Sequence, residues 1–82
     1  MTPSLKNFLR QLDREIEKEK APQKGEGVKL FFLEVLRHTH SHVNPTTADF
    51  IMNFNKLADL LNLEMKHEAQ RLILKAFEEV KV

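Results

Sequence analysis

The apolar positions of the first twenty residues predict an amphipathic helix. They recur at steps of three and four, which places them on one side of a helix; these residues are Leu5, Phe8, Leu9, Leu12 and Ile16. Every fourth position on the other side is basic, namely Lys6, Arg10, Arg14 and Lys18. Acidic residues, including Glu15, flank this basic stripe, so we expect the whole polar face to be exposed. We predict a helix over residues 3–20 that begins at Thr2 or Ser4.

The next segment predicts a loop followed by a buried helix. Residues 21–27 contain a proline and both glycines of the chain, so we predict the longest loop there. A dense apolar run follows, interrupted only by Lys29, Glu34 and Arg37. A strand is the alternative for so short a run, but no nearby segment alternates as a pairing strand would. We predict a central helix over residues 27–39 that is buried on most sides.

The second half of the chain predicts two more helices. Thr46 followed by Asp49 resembles a capping box, so we predict a third helix over residues 47–61, with Phe54 and Leu57 at the centre of its apolar stripe. Asn62 stands where a left-handed residue would end that helix, and a fourth helix is predicted over residues 64–80.

One bent helix from residue 47 onward is the alternative, since Asn stops a helix less firmly than Gly. Taken together, the four segments predict a single all-α domain over residues 1–82, a small four-helix bundle.

Composition narrows the functional classes. Of the 82 residues, 41% are hydrophobic and 30% charged, as in a globular protein. With 13 basic and 12 acidic residues the net charge is +1, so no overall field attracts nucleic acid or membrane. There is no cysteine for disulfide or thiolate chemistry, no apolar segment long enough to span a membrane, and no signal-peptide core near the N-terminus. We therefore expect a cytoplasmic protein with no membrane partner.

The stretch RHTHSHVNPTT, residues 37–47, places His38, His40 and His42 at alternate positions. On a helix, His38 and His42 would share one face at a spacing that suits Zn²⁺, with His67 as a distant further ligand. However, structural zinc sites usually contain Cys, and residues of this kind form helix poorly. We interpret the stretch as a solvated helix end without a metal, and a pH-responsive turn is the other alternative.

The residues that could be catalytic lack the spacing and context that an active site needs. Ser41 lies between two histidines, but adjacency in sequence does not provide the geometry of a catalytic triad. The segment KGEG at residues 24–27 lacks the spacing of a phosphate-binding loop and a strand before it. We expect neither enzymatic activity, nor a cofactor, nor a small-molecule substrate.

The segment KLADLLNLEMKHEAQRLILKAF, residues 56–77, resembles a helix-turn-helix unit. Ala58 is small where two helices would cross, Asn62 suits the turn, and Leu63 would plug it. The resemblance implies a DNA-contacting face after the turn. That face comprises Lys66, His67, Gln70, Arg71 and Lys75.

The apolar pattern departs from that family after the turn. There the apolar positions would fall on Glu68 and Arg71, whereas here they fall one residue later, on Ala69 and Leu72. A DNA-binding transcriptional regulator that uses residues 57–77 is therefore the alternative function, behind protein binding.

Three apolar residues lie off the main stripes of their helices: Met52, Leu60 and Leu74. A close-packed bundle would bury them, but so small a chain covers all of its apolar surface with difficulty. Exposed apolar patches rimmed by charge are typical of partner sites. We expect a non-enzymatic regulator, inhibitor or adaptor that binds another protein or a second copy of itself. In length and helix order the chain is also similar to the small four-helix immunity proteins that protect bacteria from their own bacteriocins, a further alternative.

Overall fold

The computed structural model describes residues 4–18 and 22–80, and for residues 22–26 the backbone alone. This part of the chain forms four α-helices and no strand. The helices are α1 (Leu5–Glu17), α2 (Pro22–Thr39), α3 (Thr47–Leu57) and α4 (Leu63–Val80). A 3-10 turn, Ala58–Leu60, lies between α3 and α4. The prediction of an all-α, four-helix domain is confirmed; residue 3 and residues 19–20 of the first predicted helix lie outside the described residues.

Short polar side chains begin α1 and α3, as predicted. The hydroxyl of Ser4 accepts a hydrogen bond from the backbone N–H of Asn7 at 3.2 Å. At the start of α3, Thr46 and Asp49 form a complete capping box: each side chain accepts from the other's backbone N–H, at 3.2 and 2.9 Å. The hydrogen bonds from Thr46 lower the pKa of Asp49. Both helix starts follow from local hydrogen bonding.

The predicted loop over residues 21–27 is wrong from residue 22 onward, because α2 begins at Pro22. Proline suits the first turn of a helix, where its missing N–H is not needed. Gly27 continues the helix and brings it close to α4: a Cβ atom at Gly27 would lie 3.0 Å from Cε of Met65. The glycine therefore permits close helix packing here and does not mark a loop.

The role predicted for Asn62 is also wrong. Among the described residues other than glycine, a positive φ occurs at Asn44 (56°), in the loop before α3, and not at Asn62. The chain leaves the 3-10 turn at Leu61, which is extended, and the Asn62 side chain then accepts from the backbone N–H of Met65 at 2.8 Å. Asn62 thus caps the start of α4, and α3 and α4 are two helices.

Aromatic rings form the centre of the core. Their centroids lie 5.6 to 6.5 Å apart in successive contacts that join all six phenylalanines of the chain. The six are Phe8, Phe31, Phe32, Phe50, Phe54 and Phe77. Phe54 is buried as predicted, whereas Leu57, predicted at the centre of the same stripe, is half-buried at its edge.

Helix α2 is less buried than predicted. Val28, Phe32 and Val35 are in the core, but Leu30 and Leu33 are exposed. The prediction of burial on most sides is wrong because a small domain of packed helices leaves one face of each helix in solvent.

A buried polar contact joins the end of α2 to α3. The Thr39 hydroxyl donates to the carbonyl oxygen of Val35 at 2.8 Å and accepts from Nδ2 of Asn53 at 3.0 Å. Both side chains are buried, and no buried side-chain N or O atom of the described residues lacks a partner. The contact sets the position of α3 relative to the last turn of α2.

Glu15 is buried between α1 and α4, which corrects its predicted place on an exposed face. Its carboxylate accepts from Gln11 at 3.0 Å and from Lys18 at 3.2 Å, and Nζ of Lys75 lies 3.8 Å away. Burial alone would raise the pKa of Glu15. The hydrogen bonds from Lys18 and Gln11, with the charges of Lys18 and Lys75, outweigh burial, and the pKa is lowered.

We expect Glu15→Gln to lower the free energy of unfolding at pH 7 by about 1 kcal/mol, because Lys18 and Lys75 lose an anionic partner. A lowered pKa in the folded state stabilises the protein above the unfolded-state pKa, and this stability is lost as the pH falls through the folded-state pKa. Urea unfolding at pH 7 and pH 3 should show that wild type loses more stability than the variant. Equal losses would contradict this role for Glu15.

Candidate partner-binding surface

An open groove separates α3 from α4. The two helices run in opposite directions: Asp59 and Lys66 pair at 3.3 Å beside the turn, while Ala48 and Phe77 line the groove at the far end. The groove has a volume of about 370 Å³. The residues that line it are uncharged, namely Ala48, Ile51, Met52, Asn55 and Phe77. It is therefore an uncharged site, and the Asp59–Lys66 ion pair lies outside its lining.

Of the three predicted partner-binding residues, Met52 lines this groove, and Leu74 lies one helical turn before Phe77, which also lines it. Met52 on α3 is 49% exposed and Leu74 on α4 is 63% exposed. Leu74 precedes Phe77 by three residues, so both lie on the same side of α4. Leu60, 80% exposed, lies apart from them in the 3-10 turn, beyond the Asp59 ion pair. We refer to the groove together with Met52 and Leu74 as the α3–α4 face.

A second groove, of about 200 Å³, lies between α1 and α2. Leu33, 52% exposed, lines it together with Leu9 and Leu36, and Lys29 pairs with Asp13 at 3.5 Å across it. Sequence reasoning missed Leu33 because the dense apolar run of α2 masks which side faces solvent. This groove is smaller than the α3–α4 groove and has an ion pair in its lining.

The residues predicted to contact DNA do not form one face of α4. At 100° per residue, Lys66 and Arg71 lie about 140° apart around the helix. Gln70 lies one turn after Lys66, and Lys75 one turn after Arg71. Within the protein, Lys66 pairs with Asp59, Arg71 with Glu68 and Lys75 with Glu15. DNA binding remains an untested prediction, and this arrangement divides its candidate residues into two pairs.

The histidine stretch ends α2. The helix stops at Thr39, and the N–H groups of His40 and His42 bond back to Leu36 and Thr39 in the following turns. The interpretation of this stretch as a helix end is confirmed. His38, His40, His42 and His67 are exposed. Among the side chains that the structure describes, no three His, Asp or Glu residues are arranged to hold a metal ion.

No protein-family model, curated protein or solved structure matches the chain. Of the helices in the described ranges, none combines the length and apolar character needed to cross a membrane. The cytoplasmic location remains a prediction. The surface chemistry distinguishes the two grooves: the lining of the α3–α4 groove is uncharged, whereas that of the α1–α2 groove includes Asp13 and Lys29.

Proposed function

We propose that the protein acts by binding another protein chain through the α3–α4 face, as a regulator, inhibitor or adaptor and not as an enzyme. The observation that supports this proposal is the uncharged groove between α3 and α4, with exposed Met52 in its lining and exposed Leu74 one helical turn before Phe77. Single exposed apolar residues are common on proteins, but a contiguous apolar groove is typical of a partner site.

The dimensions of the groove suit a protein ligand. About 370 Å³ accommodates a few large apolar side chains that project from the surface of a partner. Ile51 and Phe77 are already half-buried, so a ligand would complete their burial as well as cover Met52 and Leu74. Covering a large apolar side chain completely contributes about 1.5 to 3 kcal/mol, and these side chains would each contribute part of that.

A photo-activated cross-linker placed at Asn55 tests the proposal. Asn55 is exposed and lines the groove, so a benzophenone side chain there contacts whatever occupies it. The purified chain, and the chain added to an extract of the cells that produce it, are irradiated and the adducts are identified by mass spectrometry. We expect a protein adduct that disappears when Met52 and Leu74 are both changed to Gln.

The matched control carries the cross-linker at Arg10, which is exposed on α1. Circular dichroism checks that each variant retains its helices. A protein adduct at Asn55 that Met52→Gln and Leu74→Gln together remove, and that Arg10 does not form, supports the proposal. If neither sample gives such an adduct, the α3–α4 face is not a protein-binding site.

A further inference from the structure

The charges around the α3–α4 face form a regular pattern. On α3, Met52 has Asp49 three residues before it and Lys56 four residues after it. On α4, Leu74 has Arg71 three residues before it and Glu78 four residues after it. Residues at these spacings lie one turn away on the same side of a helix. Each exposed apolar residue is therefore flanked by one acidic and one basic side chain.

The order of the charges is opposite on the two helices. Along α3 the acid comes first, and along α4 the base comes first. Because α3 and α4 are antiparallel, Asp49 lies at the same end of the face as Glu78, and Lys56 lies at the same end as Arg71. One end of the face is acidic and the other basic, with uncharged residues between them.

Two copies can bring these faces together about either of two axes. With the two-fold axis parallel to the helices, α3 of one copy lies antiparallel on α4 of the other. Asp49 then faces the partner's Glu78 and Lys56 faces the partner's Arg71, so like charges meet. Like charges placed directly opposite each other in an interface oppose association.

With the two-fold axis perpendicular to the helices, each helix instead lies antiparallel on the same helix of the other copy: α3 on α3, and α4 on α4. Arg71 then faces the partner's Glu78, and Asp49 faces the partner's Lys56. Leu74 meets the partner's Leu74 at the axis, and Met52 meets the partner's Met52. The acidic end of each face lies against the basic end of the other, so the face is complementary to itself in charge and apolar along its middle.

We propose that the α3–α4 face binds the same face of a second copy of this chain, across a two-fold axis perpendicular to the helices at Met52 and Leu74. The proposal rests on the proposed function, since it names the protein that the face binds. Arg71 keeps its pairing with Glu68 in its own chain and faces the partner's Glu78 from there.

Exchange of the two charges on α4 tests this arrangement by sedimentation equilibrium. Wild type is expected to sediment at twice the chain mass of 9.6 kDa. In the proposed dimer, residue 71 of each copy faces residue 78 of the other, which makes two facing pairs. Arg71→Glu makes both pairs acidic, and Glu78→Arg makes both pairs basic. We expect each single variant to raise the dimer Kd on the order of tenfold or more.

A mixture of the two single variants, and a double variant, distinguish a contact between copies from an effect within one chain. An equimolar mixture of Arg71→Glu and Glu78→Arg chains should form a heterodimer about as tightly as wild type, since every facing pair is again opposite in sign. The double variant Arg71→Glu/Glu78→Arg should recover the homodimer. Failure of the mixture to associate, while both variants retain their helical circular dichroism, would overturn the arrangement.

Substitution of the apolar residues gives a second, independent measurement. Met52→Gln with Leu74→Gln is expected to give a monomer. Leu33, whose exposure of 52% lies between those of Met52 and Leu74, is on the other pair of helices, and Leu33→Gln is expected to leave the dimer intact. A wild-type chain that is monomeric at about 1 mM overturns the dimer. If Asn55 then cross-links to a different protein, the proposed function stands and the dimer alone fails.

Discussion

Replacing Phe54 by Ala is expected to lower the free energy of unfolding by about 3 to 5 kcal/mol. The side chain is 2% exposed, and its ring contacts Phe31 at 5.7 Å and Phe32 at 6.1 Å between centroids. Truncation removes these contacts and leaves a cavity that helices α2 and α3 cannot close without moving. The measurement is equilibrium unfolding in urea, followed by circular dichroism.

Leu57→Ala, one turn further along α3, is the matched control. Leu57 is half-buried at the edge of the core, so we expect a cost of about 1 to 2 kcal/mol. The sequence predicted both residues at the centre of one apolar stripe, which implies similar costs for the two positions. If Phe54→Ala costs no more than Leu57→Ala, the aromatic network is not the centre of the core.

Features that depend on residues close in sequence were predictable. The Ser4 cap and the Thr46 capping box each require a polar side chain and a backbone N–H three residues away, so spacing alone identifies them. The end of α2 in the histidine stretch likewise follows from local helix propensity.

Features that depend on contacts between helices were not predictable. Gly27 suggested a loop because its contact with Met65, 38 residues further along the chain in α4, is invisible in the local sequence. Glu15 was predicted on an exposed, charged face because Lys75 comes close to it only after α1 packs on α4. A residue type alone does not distinguish a packing glycine from a loop glycine, or a buried carboxylate from an exposed one.

The candidate site has some features that local sequence predicts and others that depend on contacts between helices. Met52 and Leu74 depart from the apolar stripes of their helices, so their exposure could be predicted from periodicity. The groove that Met52 and Phe77 line together, and the separation of Leu60 from it, depend on the antiparallel register of α3 and α4. The angle between Lys66 and Arg71 around α4, by contrast, follows from their spacing of five residues, so the sequence alone was enough to predict it.

A second large effect is expected at the buried contact between Thr39 and Asn53. Thr39→Val keeps the shape of the side chain but removes the hydroxyl that accepts from Nδ2 of Asn53. The Asn53 amide is then buried without that acceptor, which costs about 1 to 3 kcal/mol. Urea unfolding of the variant at pH 7 measures the cost.

The double variant Thr39→Val/Asn53→Leu tests whether the cost arises from the unpaired amide. Leu has the same number of side-chain heavy atoms as Asn, branched at the same carbon, and leaves no polar group to satisfy. Replacing both members of a buried hydrogen-bonded pair by apolar groups is often nearly neutral. We therefore expect the double variant to be more stable than Thr39→Val alone, although it carries one more substitution. If the two substitutions instead destabilise additively, Thr39 and Asn53 contribute separately, and the position of α3 against the end of α2 depends on apolar packing alone.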